Sequence, residues 1–329
     1  WPVLYSEGIT AFDKVRGFDM VVCAEPAAYK TISAACGDVL DYEETLDYVA
    51  SLTSSFSGVK DAQVVLMNAS EDSTAAVNAL LKAGKQLGKA TNNAFDMAIY
   101  PIVKAWGFTE NEYTIPTQET LDELLPLTKV SNVTIDEDAS TVYLEKEGMA
   151  VDLGGIAKGY ASDKLAELLK KKGVKSAWLS LGGNVCAIGT KPDGSPWRIA
   201  VQNPADENDY VGVVEISDAC AVTSGGYQRY FEENGKKYHH IIDPATGKPA
   251  ESGLTSVTII CKDGTKADAL STALYVMGLD DALAYWKTQD DFEVIFVTEA
   301  GEVVATEGLK DSFTFDGKGS DYTYRVAKR

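Results

Sequence analysis

The chain has 329 residues, 45% of them hydrophobic, which is ample for a buried core. Its 49 acidic and 30 basic residues leave a formal charge of −19, which argues against nucleic acid as a partner because phosphate contacts need excess Lys and Arg. No apolar run reaches the roughly 18 residues of a membrane-spanning helix.

The chain begins at Trp1, so the expectation is a signal peptide or lipoprotein leader removed upstream. Phe18 to Ala24 reads as a strand. Tyr42 to Phe56 reads as a helix, with Leu46, Val49 and Leu52 near one face. Thr74 to Leu87 reads as another, on Val77, Leu80, Leu81 and Leu87. Asn92-Asn93 interrupts, and Phe95 to Trp106 forms a further helix bounded or kinked by Pro101. Asp122 to Leu127 is a short helical candidate. From Ser131 onward strands dominate, at Val133–Ile135, Thr141–Leu144, Ser176–Leu181, Trp197–Val201, Gly212–Ile216, Ser256–Cys261 and Phe292–Val297. Glu299-Ala-Gly-Glu302 reads as a hairpin turn. Short connections favour antiparallel pairing, so the expected fold is α+β in one domain spanning 1–329, with helices on a large sheet. Cys23, Cys36, Cys186, Cys220 and Cys261 are widely spaced, without a Cys-x-x-Cys pair. They read as buried small hydrophobes, not as a disulfide framework or zinc site.

Three segments carry chemistry. Asp152-Leu-Gly-Gly-Ile-Ala-Lys-Gly-Tyr opens a helix on which Ala161, Leu165, Leu168 and Leu169 repeat. Gly154, Gly155, Lys158 and the unpaired N–H groups of the helix start suit a phosphate, although the same glycines also fit a plain strand-to-helix turn. In Lys266-Ala-Asp-Ala-Leu-Ser-Thr-Ala-Leu, Asp268, Ser271 and Thr272 fall at i, i+3 and i+4 on one helix face, opposite Leu270, Ala273, Leu274 and Met277. A carboxylate beside hydroxyls suits Mg²⁺, and a capped or solvated polar face is the alternative. Tyr238-His-His-Ile-Ile-Asp-Pro-Ala-Thr-Gly holds the chain's two histidines. On a strand they point to opposite faces, leaving one as a candidate base or both as structural residues of a strand end. Thr223-Ser-Gly-Gly-Tyr and Asn93-Ala-Phe-Asp96 are weaker pieces, a backbone cradle and an aromatic face beside a carboxylate. No Gly-x-Ser-x-Gly elbow, Walker loop or Gly-x-Gly-x-x-Gly fingerprint appears.

In order and spacing these motifs, together with Leu181-Gly-Gly-Asn, resemble the FAD:protein FMN transferase family (ApbE-type) from about Ser55 to Ala284. The resemblance implies an α+β, T-fold-related architecture with a large, mainly antiparallel sheet. It implies transfer of FMN from FAD to a Thr or Ser hydroxyl of an acceptor flavoprotein, with Mg²⁺ and release of AMP. The matching metal positions are Asp268 and Thr272, accompanied by Ser271 and the carbonyl of Gly155. Those matching FAD contacts are Asn68, Ala94, Phe95, Asp96, Asp152, Lys158 and Ile242, and His240 matches the histidine of the transfer step. The alternatives are a Mg²⁺-dependent FAD pyrophosphatase, with water in place of the acceptor, and an FAD-binding carrier without chemistry. Family habit implies an extracytoplasmic, lipid-anchored setting. The chain departs from the family pattern at Met97-Ala98, where a threonine is usual, at Gly226, where an acidic or amide residue is common, and in Lys60–Met67, before Asn68, which lacks the usual serine-rich and arginine character.

Overall fold

Two near-continuous apolar runs, Leu254–Cys261 and Phe292–Thr298, are the kind of strand that is covered on both faces. They lie inside a nine-stranded sheet whose members we number in chain order: β1 (Val21–Cys23), β2 (Gln63–Val65), β3 (Ala177–Leu181), β4 (Asn184–Ile188), β5 (Cys220–Gly225), β6 (Leu254–Cys261), β7 (Phe292–Thr298), β8 (Glu302–Thr306) and β9 (Thr323–Ala327). The spatial order is β9-β8-β7-β6-β5-β4-β3-β1-β2. Every neighbouring pair is antiparallel except β8 with β9. This computed structural model describes residues 21–23, 63–65, 73–109, 112–136, 141–317 and 322–329. Asn68 and the helix expected over Tyr42 to Phe56 lie outside them.

Alternate side chains of the central strands enter two cores. Val257, Ile259, Val294 and Phe296 pack with Leu165, Leu169, Leu270, Leu274 and Trp286, which come from helices on one face. Ile295, Val297, Val303 and Ala305 pack on the other face with Val201, Val211, Val214 and Phe313. That second partner is a three-stranded antiparallel sheet of Trp197–Asn203, Asp206–Ile216 and Phe313–Phe315. The α+β expectation is therefore met as three layers, helices over a large sheet over a small one. No helix among the described residues is long and apolar enough to cross a membrane.

The helices are α1 (Ser73–Ala90), α2 (Tyr100–Ala105), α3 (Gln118–Leu124), α4 (Ala157–Lys171), α5 (Gly264–Met277) and α6 (Leu279–Lys287). α1 ends where Asn92 and Asn93 take positive φ, 51° and 62°, a conformation asparagine tolerates. The helix expected over Phe95 to Trp106 is instead a short 3₁₀ turn, Met97–Ile99, followed by α2, with Pro101 in the first turn of α2. α3 starts earlier than expected because the Thr117 hydroxyl accepts from Thr120 N and caps it.

α4 and α5 cap each other. The Asp163 carboxylate of α4 accepts from Gly264 N and Thr265 N (both 2.8 Å) at the start of α5. The Asp268 carboxylate of α5 accepts from Gly159 N (2.9 Å) in the first turn of α4. Both helix starts thereby satisfy amides that have no partner within their own helix. The backbones touch at the crossing: a Cβ on Gly159 would stand 2.0 Å from the Gly264 carbonyl oxygen and 2.8 Å from Asp268 Cβ.

One expectation is overturned. Cys186 on β4 and Cys220 on β5 stand directly opposite in the antiparallel register and form a disulfide. Their separation of 34 positions hid the pairing, because strand register and not local spacing brings them together. Cys261 is the buried thiol that the sequence reading expected, and burial raises its pKa to about 11.

Gly159→Ala should lower stability by about 3 kcal/mol in equilibrium urea denaturation, because its methyl group meets backbone that cannot move aside. Gly173→Ala, at φ +89° beyond the end of α4 with nothing near its added methyl group, should cost only about 1–2 kcal/mol of left-handed strain. Equal losses would remove the close helix crossing as the cause.

Candidate functional site

The start of α4, the buried face of α5, the end of β5 and the segment after the Lys236–His239 strand converge on one cavity of about 330 Å³. Ten of the twelve site positions that the resemblance implies line it: Ala94, Phe95, Asp96, Asp152, Gly155, Lys158, His240, Ile242, Asp268 and Thr272. Segments up to 178 positions apart in the chain (Ala94 to Thr272) are joined there by the α4–α5 contact and by the sheet.

Asp268 is only 3% exposed, so the solvated polar face allowed by its helical spacing is excluded. Its Oδ2 takes the Gly159 amide, and its Oδ1 lies 3.7 Å from the Lys158 ammonium. Lys158 also donates to the Gly154 carbonyl (3.1 Å), one turn back. Asp152 shapes the turn before α4, because its Oδ1 accepts from Gly154 N at 2.7 Å. At Gly155 an added Cβ would stand 3.1 Å from the Phe95 ring, a tight contact, and 3.8 Å from Thr272 Oγ1, so this backbone lies close to both. One buried carboxylate, one hydroxyl and an adjacent main chain form an all-oxygen set that suits a hard cation such as Mg²⁺, which uses few protein ligands and completes its shell with phosphate or water. Among the described residues no three His, Cys, Asp or Glu side chains gather on one centre.

Two predicted positions are placed differently from the expectation. Ser271 does not border the cavity; it is fully buried, donates to the Asp268 carbonyl (2.8 Å) and meets Ser224 Oγ at 2.7 Å. Asp96 does border it, but each carboxylate oxygen already accepts a main-chain amide, Ala98 N at 2.8 Å and Val130 N at 3.0 Å. Burial pushes the Asp96 carboxyl above the ordinary carboxylate range despite those bonds.

The two histidines part as the strand reading requires. His239 faces a second cavity, where its Nε2 meets the Ala250 carbonyl, and His240 faces the first. The Arg229 carbonyl lies 3.0 Å from His240 Nδ1 and also accepts the His240 backbone N–H (3.1 Å). A carbonyl accepts only, so Nδ1 carries the proton and Nε2 is the basic nitrogen. Burial, followed by the nearby charges of His239, Arg229 and Lys158, pushes the imidazole down to about 4 against the opposing pull of the Arg229 carbonyl. His240 is thus a neutral ring at physiological pH.

Sequence reasoning missed Arg229, Gln228 and Phe108, which also line the cavity, as does Gly182 of the Leu181-Gly-Gly-Asn motif. Arg229 donates to the Phe108 carbonyl and lies 5.8 Å over the Phe108 ring. Its place three residues beyond Gly226 was the available signal. The Gly226 departure has a local cause, because a Cβ there would stand 2.7 Å from Tyr275 Oη and 2.9 Å from the His239 ring.

Residues 27–296 match the model of the ApbE family. A Klebsiella pneumoniae protein named FAD:protein FMN transferase is 35% identical over 236 residues, 71% of this chain and 73% of its own length. An Escherichia coli K12 protein of the same name is 35% identical over 226 residues, 67% of this chain and 64% of its own. Among solved structures, the ApbE protein of Thermotoga maritima is 36% identical with a TM-score of 0.67, covering 71% of this chain and 76% of that one. The apo flavinyl transferase ApbE of Pseudomonas stutzeri is 30% identical with a TM-score of 0.64, covering 84% and 90%. The sheet, the cavity and these matches agree with the motif order, and the chain belongs to the ApbE family.

Proposed function

We propose that this chain is an FAD:protein FMN transferase that moves FMN from FAD to a Thr or Ser hydroxyl of an acceptor flavoprotein and releases AMP. The observation that carries the reading is one cavity in which a buried carboxylate–hydroxyl pair, Asp268 and Thr272, shares its walls with a neutral histidine and two cationic side chains. The relatives named above carry the same activity in their names.

Asp268, Thr272 and the Gly155 carbonyl would hold Mg²⁺, whose chemistry is to neutralise the pyrophosphate of FAD and the charge that develops on AMP as it departs. Lys158 adds a positive charge at the start of α4, next to that pyrophosphate. Phe95 and Ala94 supply an apolar wall for a flat ring. His240 Nε2 accepts the proton of the acceptor hydroxyl as its oxygen bonds to the FMN phosphorus. The bond from that phosphorus to the bridging oxygen breaks, and AMP leaves with the bridging oxygen. His240 then passes that proton to AMP, which leaves as its monoanion, or releases it to solvent as AMP leaves as its dianion.

We further propose an extracytoplasmic setting. The Cys186–Cys220 disulfide supports an oxidising compartment. Peptide mapping of the protein from its native source under non-reducing conditions should recover the linked pair, and two free thiols would remove this support.

The protein, incubated with FAD, Mg²⁺ and an acceptor domain, should add the mass of FMN to the acceptor. Free FMN with an unmodified acceptor would establish the pyrophosphatase instead, and unchanged FAD the carrier. Asp268→Asn keeps an oxygen for the Gly159 amide but loses the charge, so it should cut transfer by more than about 100-fold while the protein stays folded. His240→Asn should also cost about 100-fold. Protonation disables the base, so the acid limb of kcat/KM, which reports the free enzyme, should fall near pH 4 and not near 6.5. A limb at 6.5 would exclude His240 in this environment as the base.

A further inference from the structure

The end of β5 presses Ser224 against the Asp268–Thr272 turn of α5, and three hydroxyls meet there. Ser224 Oγ lies 2.7 Å from Ser271 Oγ and 3.2 Å from Thr272 Oγ1. Each hydroxyl has one proton to give and can accept more than one. The direction of donation follows from one fixed point, because Ser271 Oγ donates to the Asp268 main-chain carbonyl at 2.8 Å and a carbonyl can only accept. With its proton committed, Ser271 must accept from Ser224. Ser224 has then spent its own proton and must accept from Thr272. Protons therefore run one way, from Thr272 to Ser224 to Ser271 to the Asp268 carbonyl.

We infer that Ser224, at the cavity wall, is a positioning residue that holds the Thr272 hydroxyl proton on its own Oγ and leaves the Thr272 lone pairs for a cation. This rests on the metal reading above, and gives the Thr223-Ser-Gly-Gly-Tyr motif a function that its backbone alone does not have. A hydroxyl ligand must present a lone pair and not a hydrogen to a cation, and a rotor with no such partner samples both. Thr272 borders the cavity, and a Cβ built on Gly155 would stand 3.8 Å from its Oγ1, so the Gly155 main chain lies beside this hydroxyl. The same accounting explains why Ser271, one residue before Thr272, anchors the relay and is not itself a ligand.

The test reads the cation directly. Mn²⁺ is titrated into the full chain, with and without FAD, and bound metal is followed by loss of the free-ion electron paramagnetic resonance signal. Ser224→Ala should weaken Mn²⁺ binding about 10-fold, the lower end of what losing a partner to a metal ligand costs. Ser224→Thr, which keeps the hydroxyl, should stay within about twofold of the parent. Ser271→Ala removes the acceptor at the far end, frees Ser224 to donate toward Thr272, and should weaken binding in the same direction as Ser224→Ala. Melting temperatures of all variants are measured alongside. Parent-like binding by Ser224→Ala overturns the relay and leaves the metal reading standing. Loss in Ser224→Thr equal to that in Ser224→Ala assigns the effect to packing and also overturns it. A parent protein that takes up no Mn²⁺ in either condition overturns the metal reading itself, and the relay with it.

Discussion

The Asp268 carboxylate is the constraint on which the site depends. Burying an ionised carboxylate without partners costs several kcal/mol, so its position is tenable only where amides and a cation meet it. The first turn of α4 supplies both, the Gly159 amide to one oxygen and the Lys158 ammonium near the other. That turn can come so close only because residues 159 and 264 lack side chains where the helices cross. Asp163 repeats the device in the opposite direction at the start of α5. Each helix therefore carries the acid that completes the other, and neither start is satisfied alone.

The reciprocal capping fixes function as well as fold. Gly155 and Lys158 precede or begin α4, while Asp268 and Thr272 belong to α5. A phosphate loop at the start of α4 and a polar helix face on α5 are each common and carry little meaning alone. Once the helices are clasped, the loop main chain, the hydroxyl and the carboxylate border one space. Small residues do most of this work. Gly155, Gly159 and Gly264 admit backbone, and Ser224 and Ser271 admit a strand end against a helix where larger side chains would hold them apart.

The sequence made the local parts legible and left the long-range ones hidden. Periodicity located α1, α4 and α5 because their apolar residues recur at helical spacing, and β6 and β7 were visible as short, near-continuous apolar runs. Pro101 marked a boundary in the Phe95–Trp106 segment, but the 3₁₀ turn before α2 was not visible, since it follows from Asp96, which caps it and also accepts from Val130, 34 positions away. Motif order supplied the site residues without their roles. Asp96, Asp152 and Ser271 matched as ligands, yet each also has a bond that shapes the backbone around the cavity. The disulfide and Arg229 escaped because strand register and a hairpin return place them, and neither leaves a short-range pattern.

The electrostatics of the cavity answer the difficulty posed by a chain of charge −19 that must hold an anion. Lys158 and Arg229 both donate to main-chain carbonyls, those of Gly154 and Phe108, which hold the two side chains in place at the cavity wall. Asp96, the acid most open to objection in a flavin pocket, is pushed by burial toward its neutral form. His240, the proposed base, is held neutral first by burial and then by positive neighbours that would also favour an incoming phosphate. A cation at Asp268 would add to that field and keep His240 deprotonated more firmly still, which ties the readiness of the base to the loading of the site.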